Sequence, residues 1–208
     1  PIIFPKQTES VALFESGLKD AYQEILIPED IYPDTGEVKV AISSTILSSL
    51  KTPFTSLFNY PYHCLEQRLS RIFPLILFKD VIEIFNYSFP EEKNPQEIVR
   101  ETLNDISLYQ KANGGFSYWQ DSSYDSPYLT CYTLFILKKA QEAGYDVPSR
   151  IMEKGADYLR NLLHGKLEKK KYPYNSYSWR SSEAFALYVL SLLGKPEPAY
   201  IEYLYKKR

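Results

Sequence analysis

The sequence predicts a mainly α-helical domain, built from successive helical hairpins and preceded by a short β or extended segment. Three observations carry that reading. From Ser43 onward apolar residues recur at helical spacing, as in Ile46, Leu47, Leu50, Phe54, Leu57 and Phe58. Proline and glycine punctuate the runs where helices start and stop: Pro95, Gly144, Gly165, Gly194 and Pro196. Runs that are apolar on most sides alternate with amphipathic ones, which fits the inner and outer helices of an α/α toroid. About seven or eight helices are expected from these start and stop signals.

Residues 1–42 differ from the rest. Val11-Ala12-Leu13-Phe14 and Ile25-Leu26-Ile27-Pro28 are short apolar or mixed runs, Pro33-Asp34-Thr35-Gly36 is a turn signal, and Glu37 to Ile42 alternates polar with apolar. Strands or extended chain are expected there, with the helical domain occupying 43–208. Ser43 or Ser44 caps the first helix and Pro53 interrupts it. Pro61 disfavours helix at Tyr60, so a new helix begins near His63 or Cys64. Pro74 kinks or ends that run, and Leu75 to Phe85 is apolar enough to be a further buried helix.

Asn94-Pro95-Gln96-Glu97 is a helix start, with Asn as cap, Pro at the first position and Glu at the third. Its stripe is Val99, Leu103, Ile106 and Tyr109, and Asn113-Gly114-Gly115 ends it. A polar and aromatic loop leads to Asp125. Helices follow over Pro127–Ala143, closed by Gly144, and over Ser149–Leu163, with Met152, Ala156, Leu159 and Leu163 in register. After a basic, tyrosine-rich loop, Ser181 or Ser182 caps a helix to Leu193, and a last one runs from about Pro198 to Tyr205.

Composition excludes several function classes. The 208 residues are 24% charged and 44% hydrophobic with a net charge of −2, so neither a nucleic-acid nor an anionic-membrane partner is implied. No apolar run approaches the ~20 residues of a membrane span. There is no metal-ligand cluster, phosphate loop or dinucleotide motif, and no cofactor is expected. A chain opening on Pro1 and closing on Lys206-Lys207-Arg208 reads as a piece of a longer protein, which would carry any export signal or lipid anchor. Two cysteines are present, Cys64 and Cys131; a disulfide between them is conceivable in an oxidising compartment.

The chemistry concentrates in Tyr60-Pro61-Tyr62-His63-Cys64-Leu65-Glu66-Gln67-Arg68. Cys64 and Gln67 stand three residues apart at a helix start, and positions i and i+3 lie on one side of a helix with Cβ atoms roughly 5–6 Å apart. The Cys64 sulfur can be acylated by the Gln67 side-chain carbonyl, with loss of ammonia, to give an internal thioester. On Cys-x-x-Gln alone the plainer reading is a core cysteine beside a solvated glutamine. Such an activated acyl group must also be kept from water; Tyr60, Tyr62, Tyr118 and Trp119 are the candidate shield, with plain packing as their alternative role.

The longer motif favours the thioester. The segment resembles the thioester motif of the alpha-2-macroglobulin and complement family, Pro-Tyr-Gly-Cys-Gly-Glu-Gln in its animal members, and Cys64-Leu65-Glu66-Gln67 is similar to the form of the bacterial branch. Gly114 to Trp119, Ser126 to Thr130 and Ala143 to Pro148 resemble the same domain in order, over roughly residues 38–208. His63 departs from the family glycine and bears on the backbone before Cys64. The resemblance implies a toroid, here incomplete, and a single-use covalent trap for proteases rather than an enzyme. The bait segment would lie outside this chain, and the parent would be exported to the periplasm or cell envelope. Glu66 belongs to the motif, and holding the preceding loop is its implied role. The loop from Gly114 to Tyr128 lacks the histidine with which some complement members direct transfer to hydroxyls, which implies direct attack by amines.

Other classes stay open on sequence. A toroid can host a lyase or cyclase, and a thioester can be vestigial in a scaffold or adhesion domain. A Cys–His nucleophile is disfavoured because His63 and Cys64, being adjacent, do not face each other on a helix.

Overall fold

The computed structural model describes residues 63–79, 94–167 and 176–206, together with Glu24 and Leu57. Most of the extended segment expected over 1–42, the domain boundary at 42/43, the first helix and its caps, and residues 80–85 of the run expected from Leu75 to Phe85 lie outside the described residues. Among the described residues the chain is helical: α1 is Leu65–Leu77, α2 Pro95–Asp105, α3 Pro127–Glu142, α4 Ser149–Leu163, α5 Ser176–Leu192 and α6 Pro198–Lys206. A 3-10 turn, Ile106–Tyr109, continues α2. The only β-type pairings there are isolated bridges, Gln110 to Phe116 and Phe116 to Ser126.

Helix α3 lies at the centre. It packs most extensively against α5, and also against α1 and α4; α2 rests on α1, and α4 and α6 on α5. So α3 stands between α1 and α5, with α2 against α1, α4 against α3 and α5, and α6 against α5. Leu129, Leu134, Ile136 and Leu137 of α3 are wholly buried, as are Leu69 and Ile72 of α1, Leu159 and Leu162 of α4, and Val189 and Leu190 of α5. Each such side chain contributes about 1.5–3 kcal/mol of transfer free energy. Gly155 lets α4 approach α3: a Cβ there would sit 2.6 Å from Cδ2 of Leu134.

Most starts and stops fall where local chemistry puts them. Asn94 Oδ1 accepts the N–H of Gln96 at 2.9 Å, with Pro95 as the first helical residue. Ser126 caps α3 through Leu129, and Gly144 ends it at φ 86°. Three boundaries differ from expectation. Helix α2 stops at Asp105 and its 3-10 continuation at Tyr109, short of Asn113-Gly114-Gly115, because Gln110 is extended and pairs with Phe116. Of the two roles expected of Pro74, kinking or ending the run, it does not end it: α1 continues through Leu75 to Leu77, where a further helix is expected to begin, and the proline sits in the last turn, where its missing N–H removes one bond only. Helix α5 begins at Ser176, so Ser181 and Ser182 are interior residues rather than caps. Serine favours caps because its hydroxyl competes for the backbone, but no proline or glycine separates Ser176 from Leu192 and packing on α3 carries the helix through.

Candidate functional site

The first turn of α1 holds Cys64 and Gln67. Cys64 is the N-cap, in extended conformation at φ −66° and ψ 163°, and Gln67 is the third helical residue. The two form a capping box: the Cys64 side chain is set toward the backbone N–H of Gln67, and Oε1 of Gln67 accepts the backbone N–H of Cys64 at 3.2 Å. This is the Ser-x-x-Glu arrangement of helix starts, with a thiol in place of the hydroxyl and a carboxamide in place of the carboxylate. With a C=O bond of about 1.23 Å, Cδ of Gln67 lies at most about 4.4 Å from that nitrogen. Cys64 is 7% exposed and Gln67 half-buried.

The loop between the 3-10 turn and α3 wraps this turn. The Tyr118 carbonyl accepts the N–H of Leu65 at 2.9 Å, satisfying the first donor of the helix from outside. The loop is held at both ends. Phe116 N donates to Thr130 Oγ1 at 2.8 Å, and Ser126 N donates to the Phe116 carbonyl at 2.7 Å. Gln110 Nε2 donates to the carbonyls of Gly114 and Ile151 at 3.1 and 3.0 Å. Gly114, at φ +91°, lies so close to α4 that a Cβ would overlap the Lys154 carbonyl.

Arg68, next to Gln67, ties α1 to α2 and the 3-10 turn. Its Nη2 meets Asp105 Oδ2 at 2.7 Å, its Nη1 donates to the Tyr109 hydroxyl at 3.0 Å, and its guanidinium carbon stands 5.7 Å from the Tyr109 ring centre. Burial opposes the charge, but the bonds to Asp105 and Tyr109 outweigh it and raise the Arg68 pKa. The sequence reading included Arg68 in its key stretch but assigned it no partner, because Asp105 and Tyr109 are 37 and 41 residues away.

Glu66 faces α3. Ser70 Oγ lies 3.4 Å from Glu66 Oε1 and 2.9 Å from the Tyr132 hydroxyl. Burial raises the Tyr132 pKa, the Ser70 bond works against that, and the Glu66 charge adds to it. Tyr128, stacked on Tyr132, is raised by burial and then by Glu66. Of the four shield residues, Tyr60 and Tyr62 lie outside the described residues. Tyr118 is half-buried at the turn and Trp119 is 54% exposed. His63 is exposed. Both cysteines are free thiols rather than a disulfide; Cys131 is wholly buried, its Sγ 3.6 Å from the Ser182 carbonyl. Among the described residues no cluster of His, Cys, Asp and Glu could hold a metal ion, and no helix is long and apolar enough to cross a membrane.

Comparison with known proteins agrees with this arrangement. A family model described as the A-macroglobulin TED domain matches residues 37–171. An alpha-2-macroglobulin of Rickettsia conorii is 27% identical over 199 residues, which cover 95% of this chain and 10% of that protein. An alpha-2-macroglobulin homolog of Yersinia pestis is 32% identical over 137 residues, 66% of this chain and 6% of that one. The structure of Salmonella alpha-2-macroglobulin reacted with methylamine superposes with a TM-score of 0.66 at 25% identity, covering 76% of this chain and 10% of that one. The chain thus spans about a tenth of the length of the relatives it matches most fully. With the match extending over more than half its residues, the chain belongs to the TED, or thioester, domain family of the alpha-2-macroglobulins, alongside bacterial members.

Proposed function

We propose that Cys64 and Gln67 close an internal thioester, and that in a longer alpha-2-macroglobulin-like protein this bond captures an attacking protease. The observation that carries the reading is the reciprocal cap, which turns the carboxamide of Gln67 back onto Cys64 in a chain of the thioester-domain family. In closure the Cys64 sulfur attacks Cδ of Gln67, the C–N bond breaks, and ammonia leaves with the thiol proton. In capture a primary amine, such as a lysine side chain, adds to the same carbon. An amide bond forms as the C–S bond breaks, and the amine proton passes to the departing sulfur. One bond is spent per molecule, so the device is a single-use trap and not an enzyme.

Relatives support the chemistry and the partner. The Salmonella protein is known as a methylamine-reacted structure, and the Escherichia coli protein in forms activated by trypsin and by porcine elastase. The histidine-free loop from Gly114 to Tyr128 supports direct attack by amines. The packing of α3 between α1 and α5, with α2, α4 and α6 against them, supports an α/α toroid. Tyr60, Tyr62, Tyr118 and Trp119 are assigned to water exclusion, with Glu66 as motif support. The bacterial relatives support an exported protein of the periplasm or cell envelope.

Intact mass spectrometry tests the reading. A closed bond makes the protein about 17 Da lighter than its sequence, and methylamine then adds its own mass while releasing one thiol, as an activated acyl group requires. A mass equal to that of the plain sequence, with no response to amine, overturns it.

A further inference from the structure

The contacts around α1 close on themselves. Arg68 Nη1 donates to the Tyr109 hydroxyl at 3.0 Å. The Tyr109 carbonyl accepts Ser117 N at 3.1 Å and Ser117 Oγ at 3.3 Å, and that same Oγ lies 2.7 Å from the Trp119 carbonyl. Between Ser117 and Trp119 stands Tyr118, whose carbonyl accepts the N–H of Leu65 at 2.9 Å. Leu65 leads back through one turn of α1 to Arg68. The ring therefore runs through the turn that carries Gln67 and joins it one residue after Cys64, with Tyr109 as its hub: hydroxyl bound to the helix, backbone bound to the loop. Asp105, at 2.7 Å, fixes the fork of Arg68 so that its other arm points at Tyr109.

From this geometry we infer that Arg68 is a positioning residue for the Cys64–Gln67 bond, acting through Tyr109 and Ser117 on the Tyr118 carbonyl. This rests on the thioester reading. The ring holds the loop down on the first turn of α1; without its arginine, only the Tyr118–Leu65 member of the ring still ties the loop to that turn. Water then reaches the acyl carbon more often, and the bond hydrolyses without any amine. The half-buried guanidinium donates both hydrogen bonds, and its charge strengthens each of them. The effect is local to the loop and distinct from the packing of α1, which rests on Leu65, Leu69, Ile72, Leu75 and Ile76.

The test uses the full 208-residue chain as wild type and as Arg68→Met, Tyr109→Phe and Arg160→Met variants. Arg68→Met keeps the apolar stem and loses both bonds. Tyr109→Phe keeps the ring of the side chain and loses one. Arg160→Met removes an ion pair to Glu197, between α4 and the start of α6, as a control for general loss of stability. Each is followed by intact mass and by release of thiol in amine-free buffer, alongside thermal unfolding. Loss of a charge-assisted bond is expected to speed amine-independent release in Arg68→Met about tenfold. Tyr109→Phe should do so by a smaller factor, with Arg160→Met at the wild-type rate whatever its melting temperature. Should Arg68→Met not fold, Tyr109→Phe decides alone. Wild-type kinetics in the Arg68 and Tyr109 variants, or equal acceleration in Arg160→Met, overturn the inference while leaving the thioester standing. A wild-type chain with no mass deficit removes both.

Discussion

The carboxamide oxygen of Gln67 accepts the backbone N–H of Cys64 at 3.2 Å, so the residue that ends the motif reaches back to the residue that begins it. The same fold of the side chain serves two purposes. It satisfies a donor at the helix start, and it brings an acyl carbon to the thiol side of the turn. The two purposes separate by mutation.

Gln67→Glu keeps an acceptor on the Cys64 N–H but carries no ammonia to lose. Its melting temperature should stay close to wild type while the mass deficit of about 17 Da disappears, since only the leaving group has changed. Cys64→Ser should likewise fold, because serine is a better cap than cysteine, and should take up no methylamine. Cys64→Ala should also take up no methylamine, and should be less stable than Cys64→Ser in urea denaturation by about 1 kcal/mol, the value of a serine cap.

Gly114→Ala meets two obstacles at once. Its φ of +91° is one that side chains avoid, and its Cβ would overlap the carbonyl of Lys154. We expect a loss of about 3 kcal/mol or more. Gly144→Ala has a similar φ of +86° but no atom within 4 Å, and should cost about 1 kcal/mol. Chemical denaturation of the pair separates backbone strain from collision.

Thr133 is wholly buried on α3, and its Oγ1 has no hydrogen-bond partner among the described residues. Thr133→Val exchanges a hydroxyl for a methyl of similar size. It should raise stability by about 1 kcal/mol, since a buried donor without a partner carries a desolvation penalty of that order. A drop on this exchange would show that the hydroxyl has a partner.

Burial pushes the Cys131 thiol well above its ordinary range. A native-state thiol assay should therefore find no reactive group in the closed protein, one after methylamine, and two only after unfolding. The linkage follows from the direction of the shift. The folded chain holds this proton where the unfolded chain has released it. Its contribution to stability is complete below the ordinary thiol range, about pH 8.5, and is lost as pH rises above it. Cys131→Ala should flatten that alkaline limb in a series of melts.

What could be read from the chain was whatever neighbours in sequence decide. Asn94-Pro95 and Gly144 mark their helix ends through bonds that reach four residues or fewer, and Cys64-x-x-Gln67 is legible for the same reason. Ser181 and Ser182 misled because a local preference for capping yielded to packing of α5 on α3. The ring through Arg68, Tyr109, Ser117 and Tyr118 had no signature at all. Its members are scattered from position 65 to 118, use backbone carbonyls as much as side chains, and meet only when α1, the 3-10 turn and the loop are in place.

Trp119 is 54% exposed, and the carbonyl just before it in the chain is the one that holds Leu65. An indole in that position emits at long wavelength and is open to iodide quenching. With Trp179, the chain's other tryptophan, replaced by phenylalanine, the domain would carry its own optical gauge. Its colour and quenching would follow the lip of the loop in real time, with no label attached to either cysteine.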